Sequence, residues 1–273
     1  MRPETFACIA GLAQARSGLL LTPDQGYMLE TRLAPLLRRH GAASLDALGG
    51  RLRGTRPEEA MIEAVVEALT THETSFFRDG KPFEHLRRSL PGLAAARPAG
   101  TPLRIWSAAC STGQEAYSAA MVVLAQARLL GGRPVEILGT DIARDVLARA
   151  AEGCFSQFEV QRGLPIRLLV QHFRPQDGNW RIAPELRAIV RFQRWNLLTD
   201  PWPLGRFDVI FCRNVLLYFD PPTKARVLAA LAGQLAADGV LYLGGAETVL
   251  GLTDRLVPHD AEPGAYRRPA PPS

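Results

Sequence analysis

Lysine is almost missing from this chain: Lys81 and Lys224 are the only two among 273 residues, and the rest of the 32 basic residues are arginine. Coding bias, with the richness in alanine and proline, accounts for that choice of cation. A net charge of +5 is then weak ground for a nucleic-acid partner. Cysteine is scarce as well. Cys8, Cys110, Cys154 and Cys212 lie far apart, form no C-x-x-C pair and have no histidine at ligand spacing. That argues against a zinc site or a disulfide framework, and no metal is expected. No apolar run approaches the ~20 residues of a membrane helix, and the N-terminus lacks the basic head and apolar core of a signal peptide. A cytoplasmic protein without membrane insertion is expected. There is also no G-x-G-x-x-G and no phosphate-cradling P-loop.

What is present reads as two patterns in series. Residues 1–88 hold no convincing strand and predict a small helical domain. Thr22-Pro23-Asp24 starts a helix with Leu29, Leu33, Leu36 and Leu37 on one side, which Pro35 should kink or end. Pro57-Glu58-Glu59 starts another, striped by Met61, Ile62, Val65, Val66 and Leu69. The Pro/Ala/Gly composition of 89–102 predicts a linker. From 103 to 273 strands and helices alternate: strands over 103–108, 135–139, 189–195, 207–211 and 240–243, helices over 113–130, 144–153 and 221–237. Alternation of this kind predicts an α/β fold with a doubly wound, mostly parallel sheet.

The most telling stretch is Phe207–Asp220. A buried strand runs into Arg213 and Asn214, Tyr218 follows, and Asp220-Pro221 caps a helix. Ligands of open α/β sheets bind at the carboxyl ends of strands, so these polar residues stand where chemistry is done. The turn Ser107–Glu115 after the first strand is built from small residues and leads to a helix N-terminus. Asp141 ends the second strand, where a carboxylate can hold both hydroxyls of a ribose; capping of the next helix is the alternative. Together the two turns favour an adenosine-type ligand without pyrophosphate, and S-adenosylmethionine fits that description. In the helical part, Phe76-Phe77-Arg78 follows a polar run, and the planar fork of an arginine there matches a carboxylate.

Six ordered motifs now combine: THETSFFRD at 71–79, RIWSAACSTGQEAYS at 104–118, GTDIA at 139–143, NLL at 196–198, FDVIFCRNVLLYFD at 207–220 and GGAET at 244–248. In them the chain resembles the CheR family of chemotaxis receptor glutamate methyltransferases. The resemblance implies a class I S-adenosylmethionine-dependent methyltransferase domain behind a small all-α domain, with a small antiparallel β-subdomain inserted at about 170–192. It implies that Thr74 and Arg78 touch the methionine part of the donor or the incoming carboxylate, and that Glu115 meets the donor's amino-acid group. Asp141 would hold the ribose, Asn196 and Leu197 border the adenine, and Asn214 join the same pocket. Arg213 and Tyr218 would line the methyl-transfer site, giving Arg78, Arg213 and Tyr218 as catalytic candidates. His72 stands where the family usually carries asparagine, its imidazole N–H a possible substitute contact to the donor. Gly245-Ala246 stands where His-Ser is common, and Glu247 is therefore left out of the expected site.

The implied reaction is in-line transfer of a methyl group to a glutamate side chain. With a reference pKa near 4.3 that carboxylate is already an anion at neutral pH, so no general base is required. Two arginine-rich stretches suggest an acidic partner. Arg32, Arg38, Arg39, Arg51, Arg53 and Arg56 face a single acid, Asp46, and are expected to dock acidic methylation helices of a chemoreceptor. The other stretch runs over 162–194. The hairpin signal Asp177-Gly178 looks short for a member that binds a receptor's C-terminal pentapeptide, so a tether-independent monomer is expected. Two other readings stay open: a methyltransferase acting on RNA or a small molecule, disfavoured because Asn214 is followed by Val-Leu-Leu-Tyr rather than Pro-Pro-aromatic, and a donor-binding adaptor without activity.

Overall fold

In the computed structural model of the chain, residues 1–259 and 262–270 are described. They form two compact units, one of residues 1–71 with 218–224, the other of residues 72–217 with those from 225 on.

The first unit is helical: α1 Pro3–Ser17, α2 Gly26–Arg39, α3 Leu45–Leu52 and α4 Glu59–Leu69. Two of them begin on a local signal. Pro3 opens α1, and the Ser44 hydroxyl accepts the Ala47 N–H at 3.1 Å to cap α3. Leu29, Leu33 and Leu36 of α2 are buried with Leu48, Val65 and Leu69. Gly49 lets α3 approach α1, since a Cβ there would stand 2.7 Å from the Thr5 methyl. Pro35 does not end α2, which runs on to Arg39. Pro35 is exposed, and the burial of Leu33 and Leu36 on the other face keeps the helix intact.

The second unit begins with the polar His72–Asp79 run and α5, Lys81–Ala95. The first half of the linker expected at 89–102, residues 89–95, is therefore helix. Pro91 and Gly92 suggest a break, but Phe83, Leu86, Leu90, Leu93 and Ala94 form one buried stripe that carries the helix through them. There follow β1 Leu103–Ala108, α6 Gln114–Ala125, β2 Val135–Asp141, α7 Arg144–Glu152, β3 Cys154–Phe155, α8 Gln157–Gln161 and α9 Ile166–His172. Then come β4 Phe173–Gln176, β5 Asn179–Ile182, α10 Pro184–Ala188, β6 Val190–Arg194, β7 Phe207–Cys212, α11 Pro221–Gln234, β8 Leu235–Leu243, β9 Val257–Pro258 and β10 Ala265–Arg267.

Seven strands make one sheet in the order β6-β2-β1-β7-β8-β10-β9. The pairs from β6 to β8 are parallel, and β10 runs antiparallel between β8 and β9. The chain leaves β1 first to one side, through β2 and β6, and then to the other, through β7 and β8. The switch point lies between β1 and β7, which is where an open sheet leaves a crevice. Strand β8 starts directly after α11, five residues earlier than expected, because Leu235 pairs with Phe207 across an irregularity. The inserted antiparallel sheet, β3-β5-β4, also begins earlier than the expected 170–192, at Cys154, while β6 belongs to the main sheet. The two-residue turn of its hairpin is Asp177-Gly178, with φ of 49° and 75°.

Behind β8, His85 is buried with its Nδ1 2.7 Å from the Tyr242 hydroxyl and its ring 4.9 Å from that of His259. Desolvation first, then the nearby His259 and Arg88, hold the His85 pKa below its ordinary value, with Glu262 pulling the other way. A folded state that refuses a proton loses stability as pH falls below the unfolded value near 6.5. The unfolding midpoint should therefore drop as pH goes from 7.5 to 5.5, and His85→Gln should shrink that slope. An identical slope in the variant would remove His85 as its source.

Candidate functional site

Three loops at the carboxyl ends of β1, β2 and β7 build the site, and those after β1 and β7, with the polar run, bend the chain out of its relaxed conformations. Ala109 and Ser111 after β1, Asn214 after β7, and Phe77 and Asp79 in the polar run all have positive φ, between 48° and 65°. Strain of this kind costs on the order of 1–3 kcal/mol per residue and persists where the surroundings over-determine it.

Hydrogen bonds supply that determination. The Ser111 N–H donates to Asp141 Oδ2 at 2.9 Å, and its hydroxyl donates to the His72 carbonyl at 2.8 Å. Asp141 Oδ1 accepts the Ala143 N–H at 3.1 Å, so the side chain braces the β1 turn and the approach to α7 at once. The Ser107 hydroxyl donates to Glu115 Oε1 at 2.7 Å, and Arg213 Nη1 donates to Glu115 Oε2 at 3.1 Å. Arg213 Nη2 reaches the Arg78 carbonyl at 2.8 Å and Asp79 Oδ2 at 2.6 Å. Arg213 and Glu115 are both buried. Burial pushes the Glu115 carboxyl above its ordinary range, and Arg213 and Ser107 pull it back.

His72 and Asp141 are joined through Ser111, while Arg78, Glu115 and Arg213 form a second bonded group. Within it Arg213 is a brace, its charge matched by Glu115 and Asp79. Arg78 donates to the Glu73 carbonyl at 2.9 Å and makes no ion pair among the described residues. Glu73 is paired with Arg162 instead, which ties the polar run to the segment after α8. Thr74 is half-buried on the same run. Asn196 and Leu197 follow β6, where the Asn196 carboxamide oxygen accepts the Leu198 N–H at 3.0 Å. Tyr218 falls in the set of residues grouped with the helical unit, where its carbonyl accepts the Leu20 N–H at 2.9 Å.

The residues suit an adenosine-bearing, zwitterionic donor. Trp195 Nε1, Arg213 Nε and Asn214 Oδ1 are buried without an intramolecular partner. Two donors and an acceptor orphaned at the ends of β6 and β7 are where a ligand with both kinds of group finds bonds. Asp141 retains lone pairs for hydroxyl donors.

Glu247, left out of the expected site, braces the loop after β7. Its Oε2 accepts the N–H of Gly244 at 2.7 Å and of Asn214 at 2.9 Å; its Oε1 accepts those of Val215 at 2.9 Å and Leu217 at 3.2 Å. The motif GGAET marks the position, but the two residues before the glutamate differ from the family pattern, and residue type alone does not reveal a carboxylate that binds backbone.

The arginines expected to dock a partner divide in the structure. Arg32 is held by the carbonyls of Leu69 and Thr70 at 2.5 and 3.0 Å and by the Thr71 hydroxyl, where it finishes α4. Arg51 donates to His40 and Gly41, and Arg53 to Glu4. Arg38, Arg39 and Arg56 are exposed.

Comparison with known proteins gives two adjoining family matches. The model described as "CheR methyltransferase, all-alpha domain" matches residues 4–70, and "CheR methyltransferase, SAM binding domain" matches 72–263. The chain is 39% identical over 255 residues to the chemotaxis protein methyltransferase of Vibrio anguillarum, covering 92% of this chain and 91% of that one. It is 36% identical over 252 residues to the chemotaxis protein methyltransferase Cher2 of Pseudomonas putida, covering 90% and 91%. Among solved structures, a TehB-like SAM-dependent methyltransferase from Corynebacterium glutamicum matches with a TM-score of 0.38 and 17% identity, over 70% of this chain and 97% of that one.

Proposed function

The chain belongs to the CheR methyltransferase family, and from that premise we propose that it methylates glutamate side chains of chemoreceptors, as methyl esters, in the cytoplasm. It is an S-adenosylmethionine-dependent methyltransferase of chemotaxis. No described helix is long and apolar enough to cross a membrane. The donor, when bound, supplies an electrophilic methyl group on a sulfonium.

The division of labour between Arg213 and Arg78 carries the glutamate reading. Arg213 is spent on Glu115 and Asp79, so it holds the loops rather than a substrate. Arg78 makes no ion pair among the described residues, although its charge reaches Glu73 and Glu115, and it sits on a segment whose backbone Arg213 fixes. A carboxylate needs one such cation, and a second would quench the nucleophile. Arg78 would orient one carboxylate oxygen and leave the other for transfer, while Tyr218 donates a hydrogen bond. If Tyr218→Phe turned over at the parent rate, that assignment would fall. Asp141, Asn196, Leu197, Asn214, Thr74 and His72 would hold the donor, and Glu115 its amino group through the charge it keeps beyond Arg213. Alignment at about 3 Å and exclusion of water do the rest, without a general base.

Receptor docking falls to the exposed Arg38, Arg39 and Arg56, opposite acidic methylation helices. The two-residue turn at Asp177-Gly178 motivates a tether-independent enzyme. One assay tests these points: transfer of labelled methyl from S-adenosylmethionine to receptor-bearing membranes. Base-labile label on the receptor is expected, at equal rates with and without the receptor's C-terminal pentapeptide. Changing Arg38, Arg39 and Arg56 to Glu should slow methylation at limiting receptor about tenfold. No label, with the donor bound, would leave an adaptor; an unchanged rate in the triple variant would move docking elsewhere.

A further inference from the structure

Glu247 accepts four backbone N–H groups, from Asn214, Val215, Leu217 and Gly244, at 2.7 to 3.2 Å. A carboxylate offers about four acceptor sites, so nothing is left for substrate, donor or proton transfer. Three of the four donors come from one short loop, 214–217, whose first residue has a φ of 58°. Such a loop cannot satisfy its own N–H groups, because they converge on a point outside it. The surroundings are equally tight. A Cβ on Gly244 would stand 2.7 Å from Asn214 Nδ2 and 2.8 Å from Glu247 Oε2, so glycine is required where the two loops meet.

We propose that Glu247 is the positioning residue of the donor site, in that its saturated carboxylate sets the 213–217 loop and through it the guanidinium of Arg213 and the carboxamide of Asn214. The inference rests on the methyltransferase reading above. Its chemistry requires an anion of this length. An amide keeps one oxygen, which accepts two N–H groups, and turns its NH₂ against the other two. Aspartate keeps all the acceptors on a stem one methylene shorter. Glu247 therefore acts through the loop and not on the reacting atoms.

The test compares Glu247→Gln and Glu247→Asp with the parent, using calorimetry with S-adenosylmethionine alone, steady-state methylation of receptor membranes, and near-UV circular dichroism. Glu247→Gln is expected to bind the donor at least tenfold more weakly and to raise KM for the donor while KM for receptor stays put. Glu247→Asp should recover part of the loss. A folded Glu247→Gln with parental donor affinity overturns the proposal. So does loss of tertiary structure in both variants, which would make Glu247 a general stability element. Donor binding by the parent without methylation of receptors would count against the glutamate reading alone.

Discussion

Arg213→Ala is expected to lose about 3–5 kcal/mol of stability and all measurable affinity for S-adenosylmethionine. Removing one partner of a buried ion pair leaves the other charge uncompensated, and that penalty exceeds what the pair itself contributes. Glu115 is the group left behind, in a site where burial already disfavours its anion. Asp79 is more exposed and is hydrated when the arginine goes. The bonds to the Arg78 carbonyl and Asp79 disappear as well, so the polar run loses its anchor to β7. Without the guanidinium, Glu115 in the folded state has a pKa raised further above its unfolded value. A raised folded pKa gives stability at low pH that is lost as pH rises through it, so the gap between variant and parent should narrow towards acid. Arg213→Lys should fall between the two, because an ammonium cannot span Glu115, Asp79 and a carbonyl as the planar fork does. Denaturant unfolding at two pH values and donor calorimetry measure all of this. A variant within 1 kcal/mol of the parent and binding normally would show that Arg213 is dispensable.

Gly163→Ala should be nearly as damaging, for a steric reason rather than an electrostatic one. Gly163 has a φ of 80°, and a Cβ there would overlap the carbonyl of Phe76. Phe76 cannot retreat: it is fully buried, with its ring centroid 5.0 Å from Phe155 and 5.6 Å from Phe173 in edge contacts. The left-handed backbone costs an L residue roughly 1–2 kcal/mol, and overpacking against backbone adds about 1–3 kcal/mol. The Phe76 carbonyl is two residues from Arg78, so a shift should also cut turnover by on the order of 10²-fold, as misplacement of about 1 Å does. Gly178→Ala is the control, with a φ of 75° and nothing within 4 Å of a new Cβ. Its loss should be confined to the backbone cost, with turnover intact. Equal effects of the two substitutions in unfolding and in methyl transfer would refute the contact argument.

These residues also show what a sequence can and cannot disclose. The parallel sheet is legible in runs such as Val209–Phe211, because burial on both faces demands continuous apolar residues. Asp141 at the end of β2 and the Asp220 cap, which accepts the Thr223 N–H at 2.8 Å, follow from local rules. The segment 89–95 misleads because Pro91 and Gly92 are local breakers, while the stripe that overrides them is a tertiary effect. Arg32 counts as surface charge until its carbonyl partners are seen, whereas Arg51 and Arg53 stay exposed while bonded to carbonyls. Glu247 is hidden for the same reason, since its partners are backbone groups that carry no side-chain signature.

The position of β10 has a consequence for how the protein is made. It pairs with β8 through Tyr242 and Leu241 and with β9 through Tyr266 and Arg267. During synthesis β8 leaves the ribosome before the strand that covers it, so the parallel part of the sheet can assemble with one open edge. Closing the intervening loop costs little, since that entropy grows only with the logarithm of its length. The hazard is kinetic: an uncovered edge of Val240–Leu243 can recruit another nascent chain until Ala265 arrives. A fusion or deletion that delays or removes residues 257–267 would prolong that interval, and its cost would appear first as lost soluble yield, before any change in the finished enzyme.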